Sequence, residues 1–278
     1  MSDDLLAVEN LRVRFHLDKG VVEAVRGISF RMGREKLGIV GESGSGKSMT
    51  GRSILRLIQP PGEVTADAIR FQGRDLMAAS KADLQQIRGG QISMVMQDPK
   101  FSLNPVMTVG RQIAEAYRIH RKVGAREART RAIEMLAAVR IRDPARVYDR
   151  YPHEVSGGMG QRIMIAMMLI PDPALLIADE PTSALDVTVQ TQVLAIIDDL
   201  VTARGMGLIL ISHDLNLVAS FCDRVLVMYG GRIVEECAAG ALHQATHPYT
   251  QGLLAALPQI DRPPGDLAVL SRDPAWLR

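Results

Sequence analysis

The chain has 278 residues, of which 47% are hydrophobic and 23% charged. That is enough to bury the core of one large domain or two small ones, and it excludes disordered and collagen-like chains. Lys and Arg number 33 against 31 Asp and Glu, a formal charge of +2, so the basic excess that marks a dedicated nucleic-acid binder is missing.

Taken in chain order, residues 5–8 and 11–15 predict two short strands, the second with alternating polarity. Residues 21–25 predict another, and residues 28–31 continue the sheet. The apolar run 37–40 ends at Gly41, the pattern of a buried strand feeding a loop. A helix starts beyond that loop. Met49, Ile54, Leu55 and Ile58 at helical spacing carry it toward Pro60-Pro61-Gly62, which ends it.

Between about Thr108 and Arg142 the texture changes to helix. Ile113, Ala116 and Tyr117, then Ile133, Leu136 and Ala137, recur at helical intervals. Between them stand Arg118, Arg121, Lys122, Arg126, Arg129 and Arg131. Charge runs are usually solvated faces, and a surface near anionic lipid or a membrane partner is the alternative.

Strands return after Ile170. The apolar runs 175–178 and 208–211 predict strands covered on both faces. Val189, Val193, Ile196, Ile197 and Leu200 predict a helix between them. Residues 225–228 and 233–234 bracket Gly230-Gly231, a hairpin signal. Alternation of this kind predicts an α/β fold with a largely parallel sheet and a helical insertion at mid-chain.

The sequence is expected to carry neither leader nor membrane span. Residues 1–4 are acidic, and the longest apolar run, 163–170, is far short of the ~20 residues a bilayer requires. Cys222 and Cys237 cannot staple so long a chain and fit no metal spacing, which points to a reducing, cytoplasmic compartment. Met94, Met96, Met164, Met167 and Met168 read as core filler.

Three motifs carry chemistry. Gly41-Glu42-Ser43-Gly44-Ser45-Gly46-Lys47-Ser48 matches the phosphate-binding loop at every fixed position. Its glycines let backbone N–H groups turn around phosphate oxygens, and the following helix points its positive end there. Lys47 supplies a charge to the β- and γ-phosphates, and Ser48 a hydroxyl to Mg²⁺. Asp179-Glu180 closes the apolar strand 175–178, where Asp179 suits Mg²⁺ and Glu180 can polarise water. A helix-capping acidic pair is the reading without a phosphate loop. Ser156-Gly157-Gly158 opens the apolar helical run 163–170 and offers free N–H groups to an anion.

The order phosphate loop, Gln97, Ser156-Gly157-Gly158, Asp179-Glu180, Ser183-Ala184-Leu185-Asp186, His213 resembles the nucleotide-binding subunit of an ATP-binding cassette (ABC) transporter over residues 5–257. Gln97-Asp98-Pro99, Ser102-Leu103-Asn104-Pro105 and His247-Pro248-Tyr249-Thr250 resemble the importer branch for oligopeptides, dipeptides, nickel and related chelates. The resemblance implies a P-loop NTPase (RecA-like) core, an N-terminal antiparallel β subdomain and an inserted helical subdomain. An ATPase domain would span 1–257 with the insertion at about 98–168, and a tail 258–278.

The same resemblance implies the roles. Phe15 stacks adenine, and Gly41, Glu42, Ser43, Gly44, Ser45, Gly46, Lys47, Ser48 and Met49 bind ATP. Ser48, Gln97 and Asp179 hold Mg²⁺; Glu180, His213 and Gln97 are catalytic. Ser156, Gly157, Gly158 and Met159 reach ATP bound by a partner, and Ser183 and Asp186 form a dimer loop. The implied partners are a second ABC ATPase subunit of different sequence, two transmembrane permeases and, indirectly, a substrate-binding protein, with no nucleic acid. The subunit would lie peripherally on the cytoplasmic face of the inner membrane. Nickel, metal-chelate or opine cargo, or a non-transport cassette, are the alternatives. Val155, Met159 and Gly160 depart from the usual signature, and the tail lacks the cysteines many peptide-branch subunits carry.

Overall fold

A computed structural model describes residues 4–96, 103–183, 185–256 and 276. The chain divides into two compact units, one of residues 1–78 with 209–278 and one of residues 79–208.

The first unit begins with β1 (Leu6–Leu17) and β2 (Gly20–Met32), antiparallel from Leu6↔Met32 to Leu17↔Gly20. The segments expected as two strands form one because Asn10, at φ 51°, absorbs a bulge between Val8 and Leu11. Residues 21–25 and 28–31 likewise merge into β2. Next come β3 (Lys36–Val40) and α1 (Lys47–Ile54). The helix stops short of Ile58. Arg56 turns left-handed at φ 50°, and the N–H groups of Arg56 and Leu57 donate to Ser53 and Arg52 carbonyls, a closure that satisfies the helix end before the prolines. Short strands β4 (Gly62–Thr65), β5 (Ala68–Phe71) and β6 (Arg74–Asp75) follow. They complete an antiparallel sheet in the order β2-β1-β5-β6, with β4 also on β1. Leu6, Val8, Leu11, Val13, Ile69 and Phe71 are fully buried beneath it, each worth about 1.5–3 kcal/mol of burial.

The second unit holds α2 (Lys81–Ile87), β7 (Ile92–Val95), α3 (Val109–His120), α4 (Ala125–Ala138), α5 (Pro144–Tyr148), α6 (Gly157–Leu169), β8 (Leu175–Asp179) and α7 (Val187–Ala203). β7 and β8 pair in parallel, and every residue of both is buried. α3 packs on α4, α5 and α6, while α7 packs on α6. The basic stretch along α3, α4 and the loop between them is exposed, with Arg129 paired to Asp149 at 3.2 Å and lying 4.1 Å over the Tyr148 ring. Met94 and Met164 are buried as expected, but Met96 is 44% exposed and Met167 and Met168 only half-buried. Met96 follows the end of β7, where the sheet no longer covers it.

The chain returns through β9 (Gly207–Ser212), α8 (Leu215–Phe221), β10 (Arg224–Tyr229), β11 (Arg232–Ala238) and α9 (Pro248–Ala255). In the first unit the strand order is β11-β10-β3-β9, with β10 parallel to β3 and antiparallel to β11. Gly230 and Gly231 take φ 52° and 83° between them, as a two-residue hairpin of this twist requires. Among the described residues no helix is long and apolar enough to cross a membrane.

Candidate functional site

In the first unit, β3 delivers the chain into the loop Gly41–Ser48, and α1 begins at Lys47 with Gly46 as its N-cap. Gly41, Gly44 and Gly46 have φ of 150°, 82° and 101°. Two of the three are also enclosed. A Cβ on Gly41 would lie 2.1 Å from the Met228 carbonyl oxygen, and one on Gly46 2.5 Å from that of Ala24. Only glycine permits this close seating of the loop on β10 and β2. The Gly231 N–H donates to the Ser45 carbonyl at 3.0 Å, adding the hairpin turn to the same support.

Lys47 is 5% exposed, and its ammonium donates to the carbonyls of Gly41 at 2.7 Å and Glu42 at 2.8 Å. The charge is thereby held over the mouth of the loop, at the positive end of α1, as an anion site requires. Ser43 and Gly44 are exposed, Ser48 and Met49 are half-buried, and the Met49 carbonyl accepts from Ser53. The same unit contains Phe15 and His213. Phe15 is half-buried on β1 between Val22 and Gly62, where a Cβ on Gly62 would come 2.8 Å from the ring. His213 is exposed, just after β9, and Asp214 behind it caps α8 by accepting from Leu217 N–H at 3.0 Å.

In the second unit, Asp179 is the buried last residue of β8, at 3% exposure. Glu180 follows in the left-handed region at φ 46°. A bulky L-residue is held there against a steric cost of about 1–3 kcal/mol, a strain that collects at functional sites. The Glu180 carbonyl accepts from the N–H and hydroxyl of Ser183, both at 3.3 Å, which closes the turn after the carboxylate.

Ser156 caps α6, its hydroxyl accepting from the Met159 N–H at 3.3 Å. A Cβ on Gly158 would lie 2.8 Å from Val189 Cγ1, so glycine lets α6 approach α7. Asp186 caps α7, accepting from Val189 N–H at 3.0 Å. Ser156, Gly157, Gly158, Met159 and Asp186 thus line one groove of about 410 Å³ with Arg162, Leu185 and Val189. Asp186 shares a surface with Ser156, Gly157, Gly158 and Met159, from which it is separate in the sequence, whereas Ser183 does not line this groove. Gln97, with Asp98, Pro99 and Ser102, lies outside the described residues, as does Ala184.

Sequence reasoning missed two supports. Gln161, buried in α6, donates from its side-chain amide to the Pro181 carbonyl. Tyr249, fully buried on α9, accepts from the Glu42 N–H at 3.0 Å. Gln161 stood in the signature stretch and Tyr249 in the His-Pro-Tyr-Thr motif, but nothing local gives their contacts.

A family model described as ABC transporter matches residues 25–183. The chain is 49% identical, over 99% of its length and 85% of the relative's, to a putative peptide import ATP-binding protein of Brucella melitensis. It is 47% identical, over 92% of its length and 73% of the relative's, to the oligopeptide transport ATP-binding protein OppD of Bacillus subtilis. A solved dimeric ATP-binding cassette in a post-hydrolysis state, bound to ADP and Pi, matches with a TM-score of 0.73 at 26% identity, covering 84% of this chain and 98% of that one. The fold is the α/β ATPase cassette that the sequence motifs imply.

Proposed function

The chain belongs to the ABC transporter family as an ATP-hydrolysing import subunit, and we propose that it couples turnover of Mg²⁺-ATP to uptake of oligopeptides or dipeptides. The observation that carries this cargo is the likeness to two relatives named for peptide import, each aligned with at least nine-tenths of this chain.

Mg²⁺ fits the donors available. Among the described residues no group of three or more His, Cys, Asp and Glu could hold a metal alone. Mg²⁺ needs no such cage, because it keeps waters and takes phosphate oxygens beside one or two carboxylates. The Ser48 hydroxyl and the Asp179 carboxylate are the donors we assign, with Gln97 as a third. When bound, the ion neutralises charge on the phosphates.

The protein's own groups supply the rest. The backbone N–H groups of Gly41–Ser48, save that of Glu42, which donates to Tyr249, hold the phosphates together with the Lys47 ammonium, and Phe15 stacks on the adenine. Glu180 orients the attacking water and draws a proton from it, while His213 contacts the γ-phosphate. Ser156, Gly157, Gly158 and Met159 donate to ATP held by a second cassette, which Ser183 and Asp186 also meet. ATP binding closes the pair, hydrolysis reopens it, and two permeases follow. In this reading the ATPase domain is 1–257, the helical insertion about 98–168 and the tail 258–278. The subunit sits peripherally on the cytoplasmic face of the inner membrane, a different cassette chain completes the pair, and a substrate-binding protein delivers the cargo.

Glu180→Gln tests the chemistry. Turnover should fall by about 10²-fold or more, the usual effect of losing such a base, while ATP binding persists. Turnover within threefold of the parent would remove Glu180 from this role. Proteoliposomes holding the whole assembly test the cargo: peptides with the binding protein should stimulate hydrolysis, and stimulation by a nickel chelate instead would reassign it.

A further inference from the structure

The Glu42 N–H belongs to the phosphate loop, yet its acceptor is the hydroxyl of Tyr249, 207 residues away on α9. Tyr249 is fully buried, and its ring lies 4.4 Å from that of Tyr229, centroid to centroid. Tyr229 is the last residue of β10, directly before the hairpin whose Gly231 N–H donates to Ser45 in the same loop. The loop is therefore held at Glu42 and at Ser45 by two neighbouring elements.

The helix that carries Tyr249 is itself fastened. Glu235 on β11 accepts from the N–H groups of Thr246, at 2.7 Å, and His247, at 3.3 Å. His247 then caps α9, its Nδ1 accepting from the Tyr249 N–H at 3.2 Å. Trp276, the only tryptophan in the chain, completes the cluster. Its ring lies 5.7 Å from Tyr229, 6.0 Å from Tyr249 and 6.3 Å from His247.

We propose that Tyr249 is a positioning residue for the phosphate loop, and that the aromatic cluster completed by Trp276 is coupled through its hydroxyl to nucleotide binding. This rests on ATP binding at Gly41–Ser48. The physical reason is preorganisation. A loop that cradles phosphates with its N–H groups binds best when its backbone is already fixed, and a hydrogen bond from a packed side chain fixes it. The Tyr249 hydroxyl takes the Glu42 N–H and so sets the direction of the peptide that enters the cradle. A shift of that peptide on nucleotide binding pulls on the Tyr249 ring and hence on Trp276.

Tyr249→Phe removes the oxygen and keeps the ring, so packing on Tyr229 survives. In the full chain it should raise the ATP dissociation constant and KM about three- to tenfold, the net worth of one hydrogen bond, with kcat within twofold and the melting temperature lowered by no more than a few degrees. In the unaltered protein, ATP should shift the emission of Trp276, and Tyr249→Phe should diminish that shift. A lowered melting temperature with unchanged ATP affinity would make Tyr249 merely structural and overturn the proposal. So would a Trp276 emission that ignores saturating ATP, or responds equally in both proteins. Lys47→Ala separates the two readings. If it abolishes ATP binding and Tyr249→Phe leaves affinity intact, only the positioning role fails; if Lys47→Ala binds ATP normally, the loop assignment and the proposal fall together.

Discussion

The side-chain amide of Gln161 donates to the backbone carbonyl of Pro181, and both residues are buried. Gln161 lies one turn into the helix that Ser156 caps, and Pro181 directly follows Glu180. The bond therefore ties the start of α6 to the strained turn that presents the Glu180 carboxylate. A buried carbonyl that loses its donor costs about 1–3 kcal/mol.

Gln161→Leu leaves that carbonyl unpaired and frees the turn. The melting temperature should fall, and kcat should fall further than KM changes, because the Glu180 backbone is no longer held. Thermal melts and ATPase kinetics on the same preparation read both. If kcat and melting temperature both match the parent, Gln161 does not hold the turn.

Gly160 invites the opposite change. It lies inside α6, is buried, and a Cβ added there would have nothing within 4 Å. Glycine in a helix interior costs about 0.5–1 kcal/mol relative to alanine, mostly as backbone entropy. Gly160→Ala should raise the melting temperature by roughly 2–4 °C, the shift that about 1 kcal/mol gives a domain of this size. A lowered melting temperature would mean that the helix start needs the glycine for a reason other than space.

How much of this was legible in the sequence follows from how local each signal is. The phosphate loop, the buried strand ending at Asp179 and the Ser156 cap are each written in consecutive residues, and the structure forms these elements there. The end of α1 was misread because apolar spacing runs on to Ile58, while Arg56 adopts a left-handed turn that no spacing rule detects. Strands β4, β5 and β6 have two to four residues and owe their form to pairing with β1 or with one another, which is tertiary context rather than propensity. The link from Tyr249 to Glu42 crosses 207 residues, and only folding brings its ends together.

Glu235 provides a pH test of the fastening of α9. Burial pushes its carboxyl up, but the donors from Thr246, Thr250 and His247 outweigh this and hold it below its ordinary value of 4.5. A carboxylate lowered on folding stabilises the protein fully above that ordinary value, and the stabilisation is lost as pH falls through the lowered one. Glu235→Gln should therefore melt below the parent at pH 7, with the gap closing in acid below about pH 4.5. A gap constant from pH 7 to pH 3 would show that the carboxylate charge contributes nothing there.

The phosphate loop offers donors from one side of a nucleotide, so hydrolysis calls for a second set over the γ-phosphate. Ser156 and Gly157 are exposed at the positive N-terminal end of α6, in a groove that also takes in Asp186. Beside it Val187 is 79% exposed, an apolar surface that a second cassette would cover. We predict that Ser156→Arg damages the site whose phosphate loop belongs to the partner cassette. The arginine removes the hydroxyl that caps α6, worth about 0.5–2 kcal/mol, and fills the groove where the partner's nucleotide would enter. The chain alone should hydrolyse ATP slowly, and its cognate cassette and permeases should raise the rate. The decisive comparison is a double-mutant cycle. Ser156→Arg is combined with a partner disabled at its phosphate-loop lysine, and each single mutant is measured beside the pair. If both changes disable the same composite site, the double mutant is no slower than the slower single one. A further large loss in the double would place the groove at a different site, and head-to-tail pairing would have to be abandoned.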